Sequence, residues 1–234
     1  MAGHSKWAQI KRQKGVNDAK RGALFTRLGN QIAVAARAGT DPLMNASLAV
    51  AIDNAKAANM PLSNIERAIK RVEDKNSAQL EEVLYEGYGP NGIAVMVECA
   101  TDNKNRTYPE VKHAFSKNGG SIAEGGSVAF QFDRKGVIVV QSNSEDDLLT
   151  ILDSGAEDAA QEEDITIVYT DPKELHSVRA KLLEAGLSLS DIELGYVAKN
   201  SIQVENSDVQ KKLDKIIDAL ENLQDVVNVT HNGA

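Results

Sequence analysis

The chain has 234 residues, of which 42% are hydrophobic and 26% charged, with a net charge of −8 and a single cysteine, Cys99. This is the composition of an ordinary soluble globular protein, and the length accommodates two or three modules. One cysteine excludes an intrachain disulfide, no run of 18 apolar residues provides a membrane-spanning helix, and no signal-peptide core is present, so the expected compartment is the cytoplasm.

The charge is unevenly spread. Residues 1–40 hold eight Lys or Arg and one acid, residues 41–75 hold five of each, and the remainder holds 13 basic and 28 acidic residues. A basic end on an acidic chain points to a polyanionic partner. Within "AGHSKWAQIKRQKGVNDAKR" (2–21), Gly3 to Gly15 lacks core periodicity and reads as an arm. Its Lys6, Lys11, Arg12 and Lys14, with Lys20 and Arg21 beyond, are candidate phosphate contacts, and Trp7, beside His4, Ser5 and Lys6, is a candidate for stacking on a base. The competing readings are a solvated charged face for the cations and packing on the helical module for Trp7.

From Asp18 the pattern is helical. Leu24, Phe25, Leu28, Ile32, Ala35 and Ala36 recur at i, i+3, i+4 and end before Gly39, leaving Lys20, Arg27 and Arg37 off the stripe. A second helix is expected over 45–58. A third follows Pro61, with Ser63 and Glu66 as a capping box and Arg67, Lys70 and Arg71 off its apolar face. This helix pair, joined by "ANMPLS", has the outline of a helix-turn-helix, which common bundle packing also produces. Three short Ala-rich helices bury little and lean on their neighbours.

After the polar linker 73–79 the period changes to that of strands. Strands are expected at 93–102, 126–132, 135–141, "DITIVYT", "SDIELGYVAK", 201–205 and 226–231. Helices are expected at 107–118 (Thr107 as N-cap, Glu110 closing the box), at "EDDLLTILDSG", at "DPKELHSVRAKLLEAG" (Asp171 as cap) and at 208–223. If "AEDAAQEE" hides a short strand, residues 135–200 read β-α-β-β-α-β. The predicted fold class is α+β: an N-terminal three-helix domain (1–78) followed by two ferredoxin-like α/β modules. One of these, the acidic 134–200, is inserted in the other, 79–133 plus 201–234. The stretch 145–164, with nine acids and no base, is a solvated face or a surface for a protein partner.

Catalytic and metal signatures are missing. "EGYGPNG" lacks the Lys-Ser/Thr of a phosphate-cradling loop and reads as a hairpin turn. The four histidines have no metal-ligand spacing, no cofactor motif is present, and Cys99 ends a buried strand as an inert thiol. The loop "TDNKNRT" (101–107) joins a strand to a helix N-terminus, where Lys104 and Arg106 could meet an anion; plain capping with an internal salt bridge is the alternative.

Several blocks together resemble the YebC/PmpR family: "MAGHSKWAQIKRQKGVNDAKRGALFTRL" at the start, "ANMPLSNIERAIK" at 58–70, "YEGYGPNGIAVMVE" at 85–98, "TDNKNRT" at 101–107, "HAFSKNGGS" at 113–121 and "FDRKGVIVV" at 132–140. The resemblance runs essentially end to end. It implies a helical N-terminal domain with two α/β domains, and a probable transcriptional regulator that binds DNA. The family also contains a mitochondrial translational activator of cytochrome oxidase subunit one, and bacterial members that act on stalled ribosomes. By position, the opening family block falls on Ala2 to Trp7, its basic helix start on Lys20 and Arg21, and its "TDNRNRT" loop on 101–107, with Lys104 replacing Arg. Lys is a point charge and does not form a planar fork. The expected function is a non-enzymatic regulator that binds promoter DNA, or alternatively ribosomal RNA, through the basic end. An adaptor that meets proteins through its acidic modules, away from any membrane, is the rival.

Overall fold

In the computed structural model, which describes residues 21–72 and 80–234, the apolar stripes of the first three helices close on one another. Helices α1 (Arg21–Ala36), α2 (Ala46–Ala57) and α3 (Leu62–Lys70) bury Leu28, Ile32, Leu48, Ile52, Ala55, Met60 and Ile65 together. Asn45 joins the first two. Its side-chain oxygen accepts from the Leu48 N–H at 3.1 Å, and its amide donates to the Ala35 and Gly39 carbonyls, both at 2.7 Å. One buried asparagine therefore satisfies groups at the end of α1 and the start of α2. The third helix departs from expectation. It begins at Leu62 behind Pro61, which presets φ at −57° and has no N–H to place, and no side chain caps it, so the Ser63–Glu66 box does not form.

The rest of the chain builds two four-stranded antiparallel sheets. Strands β1 (Glu81–Tyr88) and β2 (Ala94–Thr101) are followed by α4 (Lys104–Lys117) and β3 (Ser121–Ala123). Next come β4 (Phe132–Val140), α5 (Glu145–Asp153), β5 (Asp158–Glu162), β6 (Ile165–Thr170), α6 (Leu175–Glu184) and β7 (Leu189–Ala198). The chain then returns through α7 (Ser207–Glu221) and β8 (Val226–His231). The sheet orders are β3-β1-β2-β8 and β5-β6-β4-β7. The second is the split β-α-β of a ferredoxin-like module, and β5 is the short strand that "AEDAAQEE" had to contain.

The first sheet keeps its two covering helices but takes different strands. Residues 126–131 are a turn and a 3₁₀ segment, and residue 202 makes only an isolated bridge, to Gly233, while β1 and β3 fill the two places. The reason lies in Glu86. Its buried carboxylate accepts the N–H groups of Gly126 and Val128 at 2.6 Å and of Ala129 at 2.8 Å. Those donors are spent on a side chain and cannot enter a ladder. Residues 171–174 likewise form a turn, with the Asp171 carboxylate accepting from Lys173 N–H at 2.8 Å, so α6 starts at Leu175 rather than at Pro172.

The cores follow strand alternation. Val95, Val97 and Cys99 of β2 face α4 and α7, meeting Val111, Phe115, Leu213 and Ile216. On its other face, Ala94 and Met96 meet Phe132 and Ala198, and Ala100 meets Ala33 of α1. The helical layer is docked on both sheets. Gln31 Nε2 donates to the Val227 carbonyl at 3.4 Å, Asn54 Nδ2 donates to the Ile192 carbonyl at 2.6 Å, Arg179 pairs with Asp53 at 2.5 Å, and Val50 enters the core of the second sheet.

At Gly87, β1 passes directly against Phe115 of α4. A Cβ there would stand 2.6 Å from the Phe115 ring and 2.8 Å from the Ser121 carbonyl oxygen. Gly87→Ala is expected to cost about 1–3 kcal/mol through overpacking, read as a lowered urea midpoint with an unchanged m-value.

Candidate nucleic-acid interface

The first turn of α4 holds two of the cations singled out in the sequence. Asn103, not Thr107, is the N-cap: its Oδ1 accepts from Arg106 N–H at 3.2 Å. This places Thr107 inside the helix, facing the core, where its hydroxyl donates to Asp225 Oδ2 at 2.7 Å. Thr101 Oγ1 reaches the same oxygen at 3.0 Å, and Arg106 Nη2 reaches both Asp225 oxygens, at 2.8 and 2.7 Å, and Asp102 Oδ1 at 3.1 Å. Burial alone would raise the Asp225 carboxyl, but the donors from Thr107, Arg106 and Thr101 outweigh it and hold it below the ordinary carboxylate range. Arg106 thus ties the loop to the turn before β8. Asp225 lies 119 residues away in sequence, and no local pattern announces it. Lys104 points elsewhere, to Glu81 Oε2 at 2.6 Å, with both side chains more than half exposed.

The other sequence-derived candidates are distributed as follows. His4, Ser5, Lys6, Trp7, Lys11, Arg12, Lys14 and Lys20 lie outside the described residues. Arg21 opens α1, and Arg27 lies half-buried on α1, a separate element from α4. Lys56 on α2 and Arg67 and Lys70 on α3 are exposed. Among the described residues, Arg27, Lys56, Arg67 and Lys70 have no carboxylate within ion-pair distance. Many cations of the sheets are matched instead: Lys104 by Glu81, Arg106 by Asp225, Lys135 by Glu157 and Lys199 by Asp133.

A cleft of about 430 Å³ opens where the helical layer meets both sheets. Its wall carries the carboxylates Glu82, Glu98 and Glu193 beside Arg134, Lys173 and His176. That mixture does not favour a phosphate chain, which directs a polyanion to the outer surfaces. Cys99 at its edge is buried, and burial pushes its thiol up to about 12, far from a reactive thiolate. Among the described residues no group of three or more His, Cys, Asp or Glu side chains could hold a metal ion, and no helix is long and apolar enough to cross a membrane.

The helical layer docked on two four-stranded sheets is an arrangement that known proteins share. Residues 5–75 match the family described as "TACO1/YebC protein N-terminal domain", and residues 80–233 match "TACO1/YebC second and third domain". The chain belongs to the TACO1/YebC family. A "probable transcriptional regulatory protein" of Nitrosococcus oceani is 50% identical over 99% of this chain and 95% of its own length. One of the same description from Halothermothrix orenii is 45% identical over 99% of this chain and 94% of its own. The crystal structure of a conserved hypothetical protein, Aq1575, from Aquifex aeolicus superposes with a TM-score of 0.85 at 42% identity, covering 93% of this chain and 91% of that one.

The Asp225 cluster predicts a pH dependence. Its folded carboxyl is depressed, so its stabilisation is complete above the unfolded carboxylate pKa of about 3.9 and is lost as pH falls through the lower folded value. Urea unfolding between neutral pH and the acid limb is expected to show this loss. In Asp225→Asn the contribution should be missing at neutral pH, costing roughly 2 kcal/mol or more, and the curve should flatten on the acid side.

Proposed function

We propose that this chain is a non-enzymatic regulator that grips nucleic acid with its basic N-terminal helical portion and acts at the level of transcription on DNA. The observation that carries this reading is the sorting of charge. Among the described residues, the half-buried Arg27 and the exposed Lys56, Arg67 and Lys70 of the three helices have no carboxylate within ion-pair distance, while the acidic remainder neutralises many of its own cations. Such a surface gains affinity from the release of phosphate counterions. Its Lys and Arg residues meet a regular phosphate lattice and position the protein without reading sequence. In the sequence, Lys6, Lys11, Arg12 and Lys14 add further positive charge to the same end of the chain, and Trp7 adds a ring that can stack on a base. The names carried by relatives across the full chain agree with a regulatory role.

A titration of binding against salt tests this. With six to eight phosphates neutralised, log K should fall against log salt with a slope of about −5 to −7. Charge reversal at Lys11, Arg12 and Lys14 should make the slope shallower and weaken binding. A flat salt response, or unaltered binding in that variant, would sink the reading. Crosslinking in cells followed by sequencing of the attached nucleic acid separates the two targets: promoter fragments are expected, and enrichment of ribosomal RNA would move the regulator from transcription to translation.

A further inference from the structure

Helix α4 departs from the charge of its surroundings. Beyond residue 75 the chain holds 28 acids against 13 bases, yet Lys104–Lys117 carries four Lys or Arg and the single acid Glu110. Arg106 is consumed by Asp225. The others line the outside of the helix. Lys104, Tyr108 and Lys112 follow at i, i+4 and i+8, so each stands about 6 Å from the next along one flank. All three are exposed, as are His113 and Lys117 further round. Tyr108 is 44% exposed, one of two exposed aromatics among the described residues with Phe130, and its ring leans on Tyr85 of β1 with centroids 5.9 Å apart and planes tilted by 50°. Lys112 and Lys117 have no carboxylate within ion-pair distance among the described residues. Lys104 does, but its pair with Glu81 is solvated on both sides and holds the ammonium only loosely.

We propose that this flank of α4 is a second contact for nucleic acid, in which Tyr108 stacks on an unpaired base while Lys104 and Lys112 meet the phosphates on either side. The proposal rests on the nucleic-acid reading above and adds the form of the strand it takes. One exposed ring on a helix offers a platform the size of a single base, not the broad apolar centre that a protein interface requires. A base can use that platform only when its face is unstacked, which selects single-stranded segments, loops or ends over a closed duplex. The contact with Tyr85 fixes the ring's tilt before binding, so little side-chain freedom is lost when a base arrives. Cations one helical turn to each side supply the charge that a strand passing over the ring brings with it.

Fluorescence anisotropy of the full chain with a short fluorescein-labelled oligouridine strand, and with a duplex DNA of matching length, tests the assignment. Tyr108→Ala is expected to weaken oligouridine binding roughly fivefold to a hundredfold while leaving the duplex largely unaffected, and Tyr108→Phe should bind as the parent does. Lys112→Gln should make the log–log salt slope for the single strand shallower by about 0.7. Thermal melts establish that each variant is folded; if Tyr108→Ala melts early, the double variant Lys104→Gln/Lys112→Gln decides by the same slope. Parent-like binding in the α4 variants, with binding lost in Arg67→Gln/Lys70→Gln, would overturn the second contact and leave the proposed function standing. A parent chain that binds neither strand would overturn both.

Discussion

Strand β2 is buried on both faces except at Glu98, which lines the cleft, and the rest of the molecule is arranged around that constraint. Its odd-numbered residues Val95, Val97 and Cys99 are sealed by α4 and α7. Its even-numbered residues are divided between two partners: Ala94 and Met96 pack on the strands that enter and leave the inserted sheet, and Ala100 packs on α1. Side-chain size along the strand matches this division. Alanines stand where a strand end or a helix must approach closely, and branched residues stand where two helices leave a deep trough. Each fully buried Val or Met contributes roughly 1.5–3 kcal/mol, so one eight-residue strand fixes the helical layer, its own sheet and the root of the insert at once.

Two buried carboxylates complete that framework, and both are held ionised by donors rather than by burial in apolar surroundings. Glu86 gathers three backbone N–H groups of the segment that leads into β4. Asp225 gathers two hydroxyls and a guanidinium at the segment that leads into β8. Burial works against the ionised form of each, and the hydrogen bonds reverse it. Glu86, within β1, holds a turning segment whose backbone N–H groups lack a ladder partner, and Asp225, in the turn before β8, gathers side chains from the start of α4. Both acids therefore serve the fold.

What the sequence made legible follows the range of the interactions concerned. The helical stripe Leu24–Ala36, the Asn45 start of α2 and the β-α-β-β-α-β order of the insert rest on local periodicity and caps, and these elements stand in the structure as expected. The strand expected at 126–132 fails because Glu86, forty residues earlier, takes its N–H groups. Thr107 as a cap fails because its hydroxyl is drawn inward to Asp225 across 118 residues. β1 is not marked by local pattern, because its last residues, Glu86, Gly87 and Tyr88, share the glycine-rich composition of the hairpin turn that follows. For the site, composition separated a basic end from an acidic body. It could not divide Lys104 from Arg106, neighbours in sequence whose charges the fold sends to different acids. The Lys104–Tyr108–Lys112 spacing was present in the letters, but it gains meaning only once the helix start at Lys104 fixes which side faces out.

Net charge is a poor guide to what such a chain can bind, because screening limits the reach of each charge. At physiological ionic strength the Debye length is about 8 Å. The nine acids of residues 145–164 therefore have little hold on a phosphate lying against α1, α2 and α3 beyond that distance. They act on any strand that approaches their own face, which it meets as a repulsive surface. On the proposed function, a chain whose acids outnumber its bases beyond residue 75 would admit a polyanion in few orientations, the repelling faces narrowing them as well as the attracting ones. On this view the charge excess is part of the recognition, and neutralising the acidic insert would loosen orientation before it altered affinity.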